Sequence, residues 1–372
     1  MSHAGQKRKN AEPTEVKKAV EAGAAAKNRK TEGEEEPVVH LKGVVGTGLA
    51  TAGHHHRTSA EFLAALVYTR AEQLRVPENK VFVAERTDKI VDVFRGLVNH
   101  NFLSVPVLQK TKHKWFGFLD LADIVLYVVN TFGESKLNVE EDFWTLVERE
   151  EEFKQKTVND LMRYPLTRRN PFNPVKGGYS LLYAIEALAK ERSLHRVPVV
   201  DEQRQLMNLI TQSQVVRFLQ QNMHLLGDKR ATPVKEINGV MHDVFTINMH
   251  QRAIDAFHQM VEHGVTGVAI VDDTGRLRGN LSLRDLKAMS TDGRFFWRLY
   301  QTVENYITKL KHEIKEGQRP KRVQVCKESH TLEQVINLLA DHSIHRVFVV
   351  DDAKKPIGVI TLKDVLLEIL SP

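Results

Sequence analysis

The chain has 372 residues, 42% of them hydrophobic and 27% charged, with 53 basic and 47 acidic side chains and a formal net charge of +6. That length permits several cores, and its one cysteine excludes a disulfide framework. The longest apolar runs, Phe62 to Tyr68 and Ile124 to Val129, fall far short of the roughly 20 residues that span a bilayer.

The positive charge permits attraction to phosphates, but no zinc-finger, RNA-binding-sheet or helix-turn-helix pattern points to nucleic acid. Met1 leads into a basic rather than an apolar segment, so a cytosolic or nuclear protein, away from the membrane, is expected. Residues 1–60 are rich in Ala, Gly, Glu and Lys, with basic blocks at Lys7 to Lys9 and Lys27 to Lys30 and an acidic run ending at Glu36. Without apolar periodicity the segment cannot offset its ordering entropy, and it is expected to be a disordered charged tail. Its basic blocks fit a nuclear import signal, an acidic partner or a solubilising tail. His54, His55 and His56 are adjacent, and three neighbouring side chains converge poorly on a metal.

A first repeated unit is expected over 77–131. Val81 to His100 reads as strand, polar turn and helix with apolar positions near i, i+3 and i+4; Phe102 to Leu108 and Gly117 to Val125 supply a hairpin and a second helix. The second unit, 157–222, begins irregularly at Thr157. It carries an insertion, Tyr164 to Gly178, whose Pro165, Pro171 and Pro174 break helix continuation and indicate a shaped loop. An amphipathic stretch from Ser180 to Lys190 follows, then SLHRVPVVDE (Ser193 to Glu202) and NLITQSQV (Asn208 to Val215).

The third unit, 237–291, has GVTGVAIVDD (Gly264 to Asp273) and GNLSLRDL (Gly279 to Leu286); the fourth, 320–370, has SIHRVFVVDD (Ser343 to Asp352) and GVITLKDV (Gly358 to Val365). His195 and His345 are 150 residues apart, as are Thr211 and Thr361, which marks an internal repeat. A β-α-β-β-α copy covers one sheet face with its own helices and needs a neighbour for the rest. Four copies therefore predict two close pairs. Residues 132–156 and 292–319 read as helical connectors, the latter packing its aromatic Trp297 to Tyr300 segment on the repeats, and 223–236 joins the pairs.

The repeated polar positions carry the chemistry. Gly117, Gly279 and Gly358 open a final strand where close backbone approach is possible. Asp120, Thr211, Ser282 and Thr361 occupy the equivalent place three residues on, followed three later by Asp123, Gln214, Asp285 and Asp364. Hydroxyls and helix-start amides can hydrogen-bond phosphate. An aspartate there either caps its helix or accepts from both hydroxyls of a ribose. His195–Arg196 and His345–Arg346 enter their strands at matching places; arginine offers a phosphate fork and histidine a switchable donor, with packing or capping as the plainer role. No P-loop, HExxH or nucleophile–base arrangement is present, so an enzyme is not expected.

These motifs resemble cystathionine-beta-synthase (CBS) domains in a tandem of four over about residues 77–370. They are also similar to the gamma regulatory subunits of AMP-activated and SNF1-related protein kinases. The resemblance implies an α+β fold of four CBS repeats forming two Bateman modules in a flattened pseudo-symmetric disc, with adenosine-phosphate sites near its centre. It implies Asp123, Asp285 and Asp364 as ribose contacts, Thr211, Ser282 and Thr361 as hydroxyls orienting nucleotide, and His195, Arg196, His345 and Arg346 as phosphate contacts.

Three positions depart from the family pattern. Asp120 replaces the first-copy hydroxyl and would repel phosphate if ionised, Gln214 replaces the second-copy aspartate, and Phe102 to Val105 lacks an arginine found near that strand in animal gamma subunits. The implied function is noncatalytic, energy-sensing regulation by AMP, ADP or ATP, with no cofactor or metal, alongside kinase alpha and beta subunits. The alternative is a CBS-domain scaffold whose nucleotide sites are degenerate.

Overall fold

β-Branched runs fold into four hairpins, each embedded in a repeated unit of strands and helices. The computed structural model describes residues 57–74, 82–112, 114–137, 142–191, 194–288, 295–312 and 323–371. In the first copy β1 (Ala84–Glu85) pairs in parallel with β2 (Ser104–Gln109), and β2 pairs antiparallel with β3 (Lys114–Asp120). The second copy repeats this with β4 (Val175–Lys176), β5 (Arg196–Val200) and β6 (Leu206–Thr211). The third uses β7 (Thr246–Asn248), β8 (Gly267–Val271) and β9 (Leu277–Ser282). The fourth uses β10 (Val325–Cys326), β11 (Arg346–Val350) and β12 (Pro356–Thr361).

Each hairpin shifts register at the same point: after Val107, Val199, Ile270 and Val349. Such bulges bend a strand and re-aim its side chains. In the last three copies an aspartate closes the hairpin turn, Asp201, Asp272 and Asp351 accepting from the N–H of Gln205, Arg276 and Lys355 at 2.7, 3.0 and 2.7 Å.

The copies are not self-sufficient. At the start of its first helix, each one borrows a segment that precedes its partner. Ile90 N–H donates to Lys156 C=O and Val158 N–H to Asp88 C=O, so the chain entering copy two completes copy one. Leu181 N–H donates to Thr69 C=O, so the chain ahead of copy one completes copy two. Leu332 N–H bonds Thr232 C=O, and Ala253 N–H bonds Gln301 C=O, in the same reciprocal sense for copies four and three. The expected boundary at residue 157 therefore falls inside an exchanged segment.

Sheet edges join copies one with two and three with four. Phe118 N–H donates to Asn170 C=O at 3.1 Å, and Leu277 N–H to Lys354 C=O at 2.9 Å. The apolar cores join them the other way. One contains Phe94, Val105, Ile124 and Val128 of copy one with Phe257, Met260 and Leu281 of copy three. The other contains Leu188, Val216 and Leu219 of copy two with Val335, Leu339 and Leu366 of copy four. Helices Gln212–Gln221 and Leu332–Asp341 pack across that second core. Gln220 Nε2 donates to Asn337 Oδ1 and Asp341 Oδ1 along its edge.

The connectors are helical in part, over Phe143–Arg149, Glu151–Gln155, Phe295–Leu299 and Val303–His312. Phe295, Phe296 and Leu299 are buried, and Lys309 Nζ lies 3.7 Å from the Trp297 ring centroid, so this aromatic segment is packing. The tail expectation needs one correction. A helix already begins at Arg57 and runs to Tyr68, inside the stretch assigned to the tail, because Phe62 and Leu66 at i and i+4 enter the core of copies two and four. The rest of the tail, His54 to His56 included, lies outside the described residues. No helix among the described residues is long and apolar enough to cross a membrane.

Because the cores cross the pairs, damage to one should unfold two copies together. Leu219→Ala, at a fully buried position, should lower unfolding stability by about 2–5 kcal/mol in denaturant melts. Amide exchange in helix Leu332–Asp341 should accelerate with that of Gln212–Gln221; loss confined to copy two would contradict the shared core.

Candidate functional site

Strand register gathers the candidate polar residues at one end of every sheet. Arg196 lies opposite Thr211, Arg346 opposite Thr361, Gly267 opposite Ser282, and Ser104 opposite Asp120. The even copies bring a cation to this end and the odd copies a small or hydroxyl residue. Their difference is used directly: Arg346 Nη2 donates to Thr266 Oγ1 at 2.7 Å, and Arg196 Nη1 donates to Ser104 Oγ. A side chain at Gly267 would collide with the Arg346 guanidinium, so glycine is what lets the arginine lie across the neighbouring strand. The Arg196 guanidinium also sits 5.2 Å from the Phe118 ring centroid, within cation–π range.

The hydroxyl and carboxylate positions form helix caps. Thr361 N–H and Oγ1 donate to Asp364 Oδ2 at 2.7 and 2.6 Å. Ser282 N–H and Oγ do the same to Asp285 Oδ2 at 2.7 and 3.0 Å. In copy two Gln214 Oε1 replaces the carboxylate, accepting from Thr211 N–H at 2.7 Å. These are capping boxes, and in Asp285 and Asp364 they occupy Oδ2 and leave Oδ1 for another donor. Capping and ligand recognition are therefore compatible at those two positions.

Copy one differs. Asp120 caps its own helix through Ala122 N–H at 2.9 Å, and Asp123 turns to the insertion. Asp123 is fully buried; its Oδ1 accepts from Leu166 N–H at 3.3 Å and its Oδ2 from Thr167 N–H at 2.5 Å. Both oxygens thus serve the short helix Pro165–Arg168. The same insertion stacks Phe172 on Trp115, with centroids 4.5 Å apart and planes 4° from parallel. The shaped loop expected from its prolines covers the crevice beside copy one.

The electrostatics of the centre are strongly cationic. His195, Arg196, Arg284, Lys287, His345, Arg346 and Lys363 influence one another across copies two, three and four. Burial, reinforced by Arg284 and Arg346, lowers His345 to about 3. His195 remains open to water, yet the protein packed around it, then Arg196, lower it to about 4. Burial brings Lys287 down to about 8 and Arg346 to about 10, the latter opposed by Asp285. Burial pushes Asp285 up against the pull of its cap and of the arginines. Buried like charges disfavour one another, so this arrangement is stabilised by any anion that enters.

Several of these residues escaped sequence reasoning: Arg284, Lys287, Lys363, Ser104 and Thr266. A signal for two of them existed. Arg284 and Lys363 stand two residues after the capping hydroxyl, in the first turn of a helix, where the macrodipole disfavours a cation. A basic residue there marks chemistry other than helix stability. Among the described residues no group of His, Cys, Asp and Glu is arranged to hold a metal ion.

Four reciprocally completed α+β repeats, with a cationic centre bounded by capped carboxylates, define the class of this protein: an α+β repeat protein whose copies meet at a cluster of cations. The CBS domain family matches residues 158–221, 234–290 and 320–371. Three of the four repeats thus match CBS domains, and the chain is similar to gamma subunits of AMP-activated and SNF1-related kinases.

It is 30% identical over 234 residues to an SNF1-related protein kinase regulatory subunit gamma-1-like protein of Arabidopsis thaliana, covering 60% of this chain and 52% of that one. It is 23% identical over 311 residues to the 5'-AMP-activated protein kinase subunit gamma of Dictyostelium discoideum, covering 78% and 50%. Protein SDS23 of Candida albicans is 24% identical over 301 residues, covering 74% and 48%. The chain thus spans about half the length of these relatives. A crystal structure of an archaeal homolog of g-AMPK from Methanocaldococcus jannaschii shares the fold, with TM-score 0.58 and 21% identity over 80% of this chain and 99% of that one.

Asp120 makes the electrostatics testable. Burial raises its pKa to about 6, opposed by the Ala122 amide and Arg196. A carboxyl whose folded pKa exceeds its unfolded value contributes stability below the unfolded pKa and loses it as pH rises through the folded one. Asp120→Asn keeps a capping acceptor without the charge. It should raise Tm at pH 7.5, by about 1 kcal/mol or more of stability, and the gain should vanish near pH 4. A lower Tm at pH 7.5 would mean that the attraction of Arg196 outweighs burial.

Proposed function

We propose that the chain is a noncatalytic regulatory protein that binds an adenine nucleotide, AMP, ADP or ATP, between its repeats. The observation that carries this reading is the union, in copies three and four, of a free Oδ1 on Asp285 and Asp364 with the cationic centre formed by His345, Arg346 and Arg284. A ribose hydroxyl suits the carboxylate, and a phosphate suits the cations. Ser282 and Thr361 hold those carboxylates in place, while Thr211 serves Gln214 in the same way. Asp123, with both oxygens taken, and Arg196, lying between Ser104 and Phe118, belong to a crevice that the chain itself fills.

The kinship with gamma subunits supports a kinase complex as the setting, with alpha and beta subunits as partners. Nucleotide would then act by shifting the population of two arrangements of the repeats, which requires unequal affinity for them. The second reading, a scaffold with degenerate sites, is favoured by one specific feature: the filled crevice of copy one. The similarity to SDS23 is compatible with either.

Calorimetry of the full chain with AMP, ADP and ATP separates the two. The regulatory reading expects saturable binding that Asp364→Asn and Arg346→Gln each weaken at least tenfold, with circular dichroism unchanged. Asp123→Asn should lower Tm and leave affinity within twofold. Folded protein that takes up none of the three nucleotides would leave the scaffold reading standing alone.

A further inference from the structure

Helix Arg57–Tyr68 lacks a polar side. Over residues 60–68 its single charge is Glu61. Phe62 and Leu66 enter the core of copies two and four, while Ala60, Ala64, Val67 and Tyr68 are exposed. A helix on a protein surface ordinarily keeps its outer side polar, and one that is apolar all round is a helix that is covered all round.

The exposed apolar residues continue onto copy two. Tyr68 is 77% exposed, Tyr179 50%, Tyr183 53% and Met207 51%. With Val67 they make five of the seven large hydrophobic side chains exposed among the described residues, the others being Val325 and Leu367. Backbone and ring contacts join them in one patch. Leu181 N–H donates to Thr69 C=O at 2.6 Å and Ala71 N–H to Tyr179 C=O at 2.9 Å, which sets the end of the helix beside Tyr179. The Tyr179 and Tyr183 ring centroids lie 5.2 Å apart, and Met207 Sδ sits beside Gly177, two residues before Tyr179. At about 200 Å² for a whole aromatic side chain, the three tyrosines present roughly 350 Å². Val67 and Met207 enlarge the face without bringing it to the about 800 Å² that each partner buries in a specific interface. It is too small for a stable dimer and suits a short tethered segment.

The chain carries such a segment. Between residues 2 and 37 the large apolar side chains are Val16 and Val20, whereas residues 39–49 contain Val39, Leu41, Val44, Val45 and Leu49. Val39 and Leu41 alternate with His40 and Lys42, the pattern of a half-buried extended strand. From Leu49 to Arg57 eight residues of chain reach up to about 26 Å. The twelve-residue helix is about 18 Å long, so the segment can return along it to Tyr68. A tethered occupant is present at about millimolar local concentration, which favours it over a second copy at ordinary protein concentrations.

We propose that residues 39–49 dock on this patch and are its occupant in the folded chain, with Lys42 meeting the Glu72 carboxylate that lies beside Gly177. The docked segment keeps from water an aromatic face that would otherwise favour association. The proposal does not rest on the nucleotide reading.

The test uses the purified full chain. Hydroxyl-radical footprinting read by mass spectrometry should find Tyr68, Tyr179, Tyr183 and Met207 modified at least threefold more slowly in wild type than in Leu41→Asp/Val44→Asp, with exposed Leu367 as the reference in both. Trypsin should cut after Lys42 at least fivefold more slowly than after Lys27. Tyr68→Ser/Tyr183→Ser should remove that difference with circular dichroism unchanged, since both tyrosines lie outside the two cores. Equal modification in wild type and the Leu41→Asp/Val44→Asp variant would overturn the proposal, as would cleavage after Lys42 as fast as after Lys27. Protection that disappears on tenfold dilution would assign the patch to a second copy and overturn it too.

Discussion

A three-stranded sheet with two helices cannot remove both of its faces from water, and this constraint organises the whole molecule. Each copy has central strands that are largely buried, and its first helix starts against a segment borrowed from its neighbour. The borrowed segments bind copy one to two and three to four through hydrogen bonds. The buried aliphatic side chains bind one to three and two to four through packing. Two sets of contacts in crossed directions make the four copies mutually dependent. The hydrogen bonds specify which copies pair, while hydrophobic burial supplies most of the driving force.

That crossed arrangement brings the ends of four sheets together, and it decides where charge accumulates. Arginine and histidine enter from the even copies, and Arg284 and Lys287 from copy three. Buried like charges are costly in a medium of low polarizability. Asp285 and Asp120 offset part of that cost, and both carboxyls are themselves pushed up by burial. The apolar cores on either side position the strands and helices that carry these cations.

Much of this was legible in the sequence because repetition converts weak signals into strong ones. The offset shared by His195 with His345 and by Thr211 with Thr361 reported a real structural equivalence: the threonines lie opposite Arg196 and Arg346 in matching register, and the histidine carbonyls just before those strands accept from Gln212 and Leu362 N–H in the same way. The capping role considered for the hydroxyl and carboxylate positions is realised in copies two, three and four. What the sequence did not reveal was relational. Neither the exchange of segments nor the joining of copies two and four in one core leaves a local periodicity, because each depends on which copies meet. The start of the helix at Arg57 was missed for the same reason: Phe62 and Leu66 gain meaning only from a core more than a hundred residues away.

The unequal copies follow from one substitution and its consequences. Where copies three and four have a hydroxyl that donates to the carboxylate three residues on, copy one has Asp120, which cannot donate when ionised and would repel Asp123. Asp123 therefore needs donors from elsewhere, and the insertion supplies two amides. Supplying them lays Pro165–Arg168 and then Phe172 over the face that would otherwise be open. Asp120 and the insertion are thus two halves of one adaptation: the loss of a hydroxyl at one position makes a fifteen-residue loop useful at another. With the insertion laid there, the odd-copy partner of Arg196 is the protein itself, through Ser104 and Phe118. The division between a closed side and an open side gives the disposition of charge a direction, which a fully symmetric set of four copies would lack.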